Sequence, residues 1–253
     1  MSNTELNALT DVSPGGAPRW KHPVQSLRDL FFRGHKRTRK AKKNIAGLFV
    51  IRGVISVVNL LLVPLTLAYL DQARYGVWMT LTSIIGWAGI LDIGLGNGLR
   101  NKLAESIAKG DENVEQTYVS TTYAFVALIA ALAIVLFSLV NPFLTWSKIL
   151  NASASMDTEL GLLAQIVFVG FCLKLVFNLI GTVLIAHQRP AAAGAIEAFV
   201  GVISLGVVWF LTRTTEGSLF WLGIAITAPM VVGPLLANVW FFRRQYRRIR
   251  PRI

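Results

Sequence analysis

Acidic residues are scarce in this sequence: 13 Asp and Glu stand against 25 Lys and Arg, and charge of either sign makes up only 15% of the chain. A soluble domain carries about 25% charged residues, so the shortage argues against an ordinary water-solvated surface. Cysteine is nearly absent. Cys172 stands alone inside an apolar run, which excludes an internal disulfide and a cysteine metal site and leaves a small packing residue. Histidine is almost as rare: none of His22, His35 and His187 has a second His or Cys at metal-ligand spacing. No Ser-His-Asp pattern or nucleophile elbow is present. Asp71, Asp157 and Glu159 are outer-loop acids without basic or metal partners nearby in sequence. Neither an enzyme nor a bound metal or cofactor is expected.

What fills the chain instead is hydrocarbon. Hydrophobic residues make up 54%, the mean hydropathy is +0.56, and the apolar residues gather in runs of about 20, the length that crosses a bilayer as a helix. The fold class read from this is all-α, an integral membrane bundle of six transmembrane helices over 45–69, 75–98, 118–140, 160–186, 191–212 and 218–242. Three regions follow: a basic arm over 1–44, rich in Ser, Asn, Pro and Gly and read as disordered; the bundle over 45–242; and a basic tail over 243–253. The arm holds no apolar stretch of the kind a signal peptide needs.

The positive charge is unevenly placed. It sits in the block Arg33–Lys43, in the loop Leu99–Thr117 and in the tail. A net charge of +12 in a soluble protein would suggest nucleic acid. Between apolar spans it reads instead as topology and contact with anionic lipid, and no nucleic-acid partner is expected. With the N-terminus in the cytoplasm, the cytoplasmic side carries Arg100, Lys102, Lys109, Arg189, Arg243, Arg244, Arg247, Arg248, Arg250 and Arg252. The opposite side carries only Arg74, Lys148 and Arg213. The positive-inside rule then gives an N-in, C-in topology. In the second cytoplasmic loop Leu99, Leu103 and Ile107 recur every fourth residue, with Arg100, Lys102, Glu105 and Lys109 off that stripe. This spacing suits either an amphipathic helix at the interface or a continuation of the second span into water.

Four ionisable residues fall inside the spans: Arg52, Asp92, Lys174 and Glu197. Charge in hydrocarbon costs several kcal/mol unless it is paired or wetted. Counting about 1.5 Å per residue, all four lie in the cytoplasmic half, with Arg52, Asp92 and Glu197 near one level and Lys174 deeper. Two arrangements satisfy them. They can pair and pin the bundle, Arg52 with Asp92 for instance, or they can line a hydrated cavity that receives a charged group of a cargo. In the second case Arg52 offers a bidentate fork for phosphate and Lys174 a point charge, while Asp92 and Glu197 serve ion coupling or charge pairing. Asp92 introduces the run Gly94, Gly96, Gly98. No strand precedes these glycines and no Lys-Ser/Thr follows, so a phosphate loop is excluded. In a membrane helix such glycines permit close approach or unwinding. Pro64, Pro229 and Pro234 mark further places where helices bend.

Tyr75-Gly76-Val77-Trp78, the run Leu91-Asp92-Ile93-Gly94-Leu95-Gly96-Asn97-Gly98-Leu99-Arg100-Asn101 and the basic amphipathic loop after it resemble polysaccharide flippases of the MOP exporter superfamily. These are the Wzx-type transporters of lipid-linked O-antigen or capsule repeat units. The similarity spans roughly residues 45–250, and its specific part is 75–110. It implies one lobe of a MOP/MATE-type transporter in the inner (plasma) membrane, alternating access, and a cationic lumen for pyrophosphate and acidic sugars, a role carried over to Arg52 and Lys174. The partners it implies are membrane lipid, a lipid-linked oligosaccharide, and a second six-helix half or a homodimer, because family members run to twelve or more helices and this chain resembles their N-terminal half. Two other readings stay open. A drug or cation exporter of the same superfamily would work through Asp92 and Glu197, and a non-transporting scaffold for polysaccharide assembly would work through the basic arm and tail.

Overall fold

The computed structural model describes residues 36–87 and 94–252. Every regular element among them is a helix. The longer helices are α1 (Lys36–Leu70), α2 (Gln72–Gly86), α3 (Leu95–Lys109), α4 (Glu112–Val140), α5 (Asp157–Phe177), α6 (Leu179–Ala186), α7 (Pro190–Thr214) and α8 (Leu219–Arg244), with single turns between α4 and α5. Helix α1 begins inside the basic block assigned from sequence to an irregular arm. From Lys36 to Lys43 the chain has no Gly or Pro, and Lys, Arg and Ala favour helix. The rest of that arm, residues 1–35, lies outside the described residues.

Five stretches are long and apolar enough to cross a membrane: Ala46–Leu70, Glu112–Phe143, Ala154–Ala186, Pro190–Thr214 and Leu219–Arg244. Their outward faces carry bare hydrocarbon such as Phe49, Leu60, Phe125, Leu136 and Phe143. Such a surface is costly in water and natural in lipid, which makes the architecture compatible with a helical membrane bundle. The expected second span, 75–98, is represented differently. Helix α2 has 15 residues and stops at Gly86, and α3 starts afresh after Gly94, which holds φ at +72°. That left-handed geometry suits Gly, which has no Cβ to clash. Residues 88–93 between them lie outside the described residues, and Asp92 with them.

The buried side chains form two clusters at opposite ends. One joins Tyr69, Leu70, Trp78, Leu81, Ile85, Trp146, Leu160, Leu211 and Leu219. The other joins Leu99, Leu103, Val119, Tyr123, Ile180, Val183, Leu184, Phe241, Phe242, Tyr246 and Ile249. Segments 70–75, 141–156 and 215–218 therefore meet at one end, and α3 with the start of α4, 187–189 and 245–252 at the other. Within this frame small residues set the register. Gly194 and Gly201 of α7 face Ile51 and Val58 of α1, where an added Cβ would come within 3.1 and 3.2 Å of the neighbouring side chains. Two glycines one heptad apart thus receive two side chains one heptad apart on α1, the spacing of parallel neighbours. Gly170 of α5 likewise admits the Thr227 methyl of α8, leaving no room for a Cβ.

Candidate functional site

Between α1, α5, α6, α7 and α8 lies an open cavity of about 340 Å³. Three of the four charges singled out from sequence reach it: Arg52, Lys174 and Glu197. Their convergence follows from the glycine contact. Glu197 sits between Gly194 and Gly201, so the register that seats Ile51 and Val58 on those glycines brings Arg52 beside it. The Arg52 guanidinium lies 3.8 Å from the Glu197 carboxylate. Among the described residues the partner of Arg52 is thus Glu197 on the parallel neighbour α7, while the expected Arg52–Asp92 pairing falls on a residue outside them. Both side chains remain more than half exposed, at 70% and 60%. The pair therefore keeps capacity for another ligand, as exposed pairs contribute little stability. Lys174 is half-buried and makes no ion pair among the described residues, so the three together leave one positive charge in excess.

The cavity lies where two helices lose their regular hydrogen bonding. In an unbroken helix the Gly181 amide would donate to the Phe177 carbonyl four residues back. Instead it donates to Asn178 O at 2.9 Å, a tighter turn that separates α5 from α6. The released Phe177 carbonyl accepts from Asn238 Nδ2 at 2.6 Å. That amide also donates to Pro234 O at 2.8 Å, and its Oδ1 accepts from the Tyr123 hydroxyl at 2.6 Å. One asparagine of α8 so compensates a broken α5–α6 helix and ties it to α4. Pro234 lacks an N–H and leaves the Met230 carbonyl without its helical donor; both residues line the cavity, as do Asn178 and Thr182. Irregular backbone at membrane depth is tolerated where it borders a cavity.

Of the bending positions singled out from sequence, Pro234 belongs to the cavity. Pro229 lies inside α8 and Pro64 inside α1, neither on the cavity wall. Gly94, Gly96 and Gly98 belong to the start of α3, away from it. Sequence reasoning missed Asn178 and Asn238. Their signal was an amide in an apolar run within one helical turn of a Gly or Pro, Gly181 and Pro234.

Among the described residues no three His, Cys, Asp or Glu side chains come together in a way that would hold a metal ion. No protein-family model matches the chain, and no curated protein and no solved structure matches it.

Proposed function

We propose that this chain is one lobe of a membrane transporter for anionic, lipid-linked cargo, of the kind its resemblance to polysaccharide flippases implies. In this reading six crossings place both ends in the cytoplasm, with the interrupted α2–α3 region as the second. The observation that carries it is the convergence of Arg52, Lys174 and Glu197 on a single open cavity bordered by two interrupted helices. Guanidinium and ammonium groups suit a pyrophosphate: Arg52 supplies two parallel N–H donors and Lys174 an unpaired charge. Glu197 holds the Arg52 fork until cargo displaces it. The cavity is open on one side, so a facing lobe, either a second copy or another half, closes it. Bending at Asn178 and Pro234 would change the side from which the cavity is reached.

The presence of Glu197 in the same cavity favours a second reading, a cation exporter in which that carboxylate binds the ion. The two separate in proteoliposomes that carry a fluorescent polyprenyl-diphosphate disaccharide, with probe on the outer leaflet destroyed by an impermeant reductant. Movement of the probe by the wild-type chain that Arg52→Ala abolishes, with insertion intact, is the expected result. Unchanged movement in Arg52→Ala would overturn the cavity assignment. Greater damage from Glu197→Gln than from Arg52→Ala would favour the cation reading. A wild-type chain that moves nothing would leave the scaffold role.

A further inference from the structure

The segment after α8 is not a loose basic tail. The chain turns at Gln245, and the Tyr246 amide donates to Phe241 O at 2.9 Å. Tyr246 and Ile249 then enter the core beside Phe241 and Phe242. From there the segment lies back along the start of α4. Arg248 donates to both Glu112 oxygens at 3.1 and 3.0 Å, Gln116 Nε2 donates to Arg250 O at 2.9 Å, and the Arg252 amide donates to Ser120 Oγ at 3.0 Å. The three attachments advance along α4 from Glu112 to Ser120, a rise of about 12 Å. They fix four arginines in a row instead of letting them repel one another into solvent.

A cleft of about 610 Å³ opens between these arginines and α4, lined by Asn113, Gln116, Arg247, Arg248, Arg250 and Arg252 together with Glu112. Glu112 is its only acid among the described residues, so three positive charges go unbalanced. Beyond Arg252 the surface changes character. Arg252 also lines a second groove, whose other walls are Ser120, Thr121, Ala124, Phe125 and Leu128, with Phe125 and Leu128 exposed. A cationic cleft and an apolar groove thus meet at one residue, and the groove follows α4 in the direction in which its sequence becomes continuous hydrocarbon.

We propose that the folded-back segment and the first turns of α4 form a binding site for an acidic phospholipid. Its phosphate headgroup occupies the arginine cleft and one acyl chain lies along Ala124, Phe125 and Leu128. Guanidinium forks match phosphate oxygens two at a time, and the surplus of positive charge selects a net-anionic headgroup over a zwitterionic one. The groove selects a lipid over free phosphate, which would fill only the cleft. This site does not rest on the transport reading, since a chain that moves nothing would still present it.

The test is a titration of the full-length chain, in neutral detergent, with dioctanoyl phosphatidylglycerol, dioctanoyl phosphatidylcholine and inorganic phosphate, counting retained adducts by native mass spectrometry. One phosphatidylglycerol is expected to bind at least about tenfold more tightly than phosphatidylcholine, and Arg250→Gln with Arg252→Gln to lose about tenfold. Ala124→Trp fills the groove while leaving every arginine in place, and is expected to weaken phosphatidylglycerol to a similar degree. It carries the test if the arginine variant fails to fold. Equal binding of the two lipids would overturn the proposal, as would wild-type binding by both variants. Inorganic phosphate binding as tightly as phosphatidylglycerol would show a plain anion site and overturn the lipid assignment.

Discussion

The two ends of the bundle are held together by different chemistry. At the end where 187–189 and the C-terminal segment meet, carboxylates take part in the joining: Glu112 accepts from Arg248 and Glu115 lies 3.6 Å from His187 Nε2, while Glu105 pairs with Lys102 and Lys109 within α3. At the opposite end the ties are mostly neutral, apart from the Asp157 carboxylate, which accepts from the Ser147 amide at 2.7 Å, and a local Arg74–Asp71 pair. Tyr69 shares a hydrogen bond with Thr215 and donates to Glu216 O, Trp146 Nε1 donates to Asn141 Oδ1 at 2.7 Å, and Asn141 Nδ2 donates to Gly161 O at 3.0 Å. Arg74 reaches the Gly217 carbonyl, a neutral acceptor. The difference follows from composition, because nearly all the loop arginines and lysines belong to the first end. A membrane protein whose loops must stay on one side accumulates cations there. Acids such as Glu105, Glu112 and Glu115 then become local anchors for cations already present.

The sharpest way to break this comparison is to ask whether the two ends face different compartments. In a Cys172→Ser background, Lys109→Cys should react with an impermeant maleimide only after the membrane is opened from the cytoplasmic side. Ser153→Cys, at the neutral end, should react in intact cells. The contrast is all or none. Labelling of both from one side would end the claim that the ends lie across a bilayer.

The next largest effect is expected at Asn238. Asn238→Leu keeps the branched shape but strands the buried Tyr123 hydroxyl and the partly buried Phe177 carbonyl. Unpaired buried polar groups cost about 1–3 kcal/mol each in soluble proteins, and less in membrane bundles, so a loss of about 2 kcal/mol in detergent unfolding is the expectation. Asn141→Ala at the neutral end removes two hydrogen bonds from a more accessible site and should cost about 1 kcal/mol. If Asn141→Ala were the worse variant, the break at Asn178 would not depend on Asn238 for its compensation.

Much of this was legible in the sequence, and the divisions fall along physical lines. Of the six spans read from apolar run length, five correspond to long apolar helices, because hydrocarbon thickness imposes a length that is hard to disguise. The stripe Leu99–Leu103–Ile107 marked α3, and two of its residues are buried as that spacing requires. Charges in apolar runs stood out because each needs a local reason, and Arg52, Lys174 and Glu197 do share one cavity. Pairing was not legible. Glu197 reaches Arg52 because Gly194 and Gly201 fix how α1 lies on α7, and glycine spacing names a close contact without naming its partner. The Asn178 break was hidden too, since the hydrogen bond that compensates it comes from a residue sixty positions further along the chain. The tail reads only as basic in sequence, because its arginines mask Tyr246 and Ile249, the two residues that bury it.

Smaller effects sharpen the ionic side of the contrast. Glu112→Gln removes the carboxylate that Arg248 grips, but both side chains are well exposed, at 55% and 81%. Such pairs are worth about 0.5 kcal/mol and fade with salt. Hydrogen exchange in 246–252 should therefore rise only modestly in the variant. In 1 M salt the wild type should show the same rise, while amides near Asn141 and Trp146 stay unchanged. A salt response of equal size at both ends would remove the distinction.

The smallest effect belongs to Glu105, and its sign is fixed by its neighbours. Hydrogen bonds from Lys109 and then Lys102, reinforced by their charge, hold this carboxyl below the usual glutamate range. A carboxyl whose pKa is lower folded than unfolded adds stability that is fully present above the unfolded value. That stability is lost as pH falls through the folded one. The end of α3 should accordingly be firm at neutral pH and fray in acid, seen as faster exchange of the amides before the Gly110 cap once intrinsic rates are allowed for. Glu105→Gln should fray slightly at neutral pH and lose this additional acid step, because the amide neither ionises nor attracts the two lysines. Because the group lies at the surface, the change is confined to the last turns of one helix, and the cavity should not register it. An acid step of the same size in Glu105→Gln would assign the fraying to another group at the same end of the bundle.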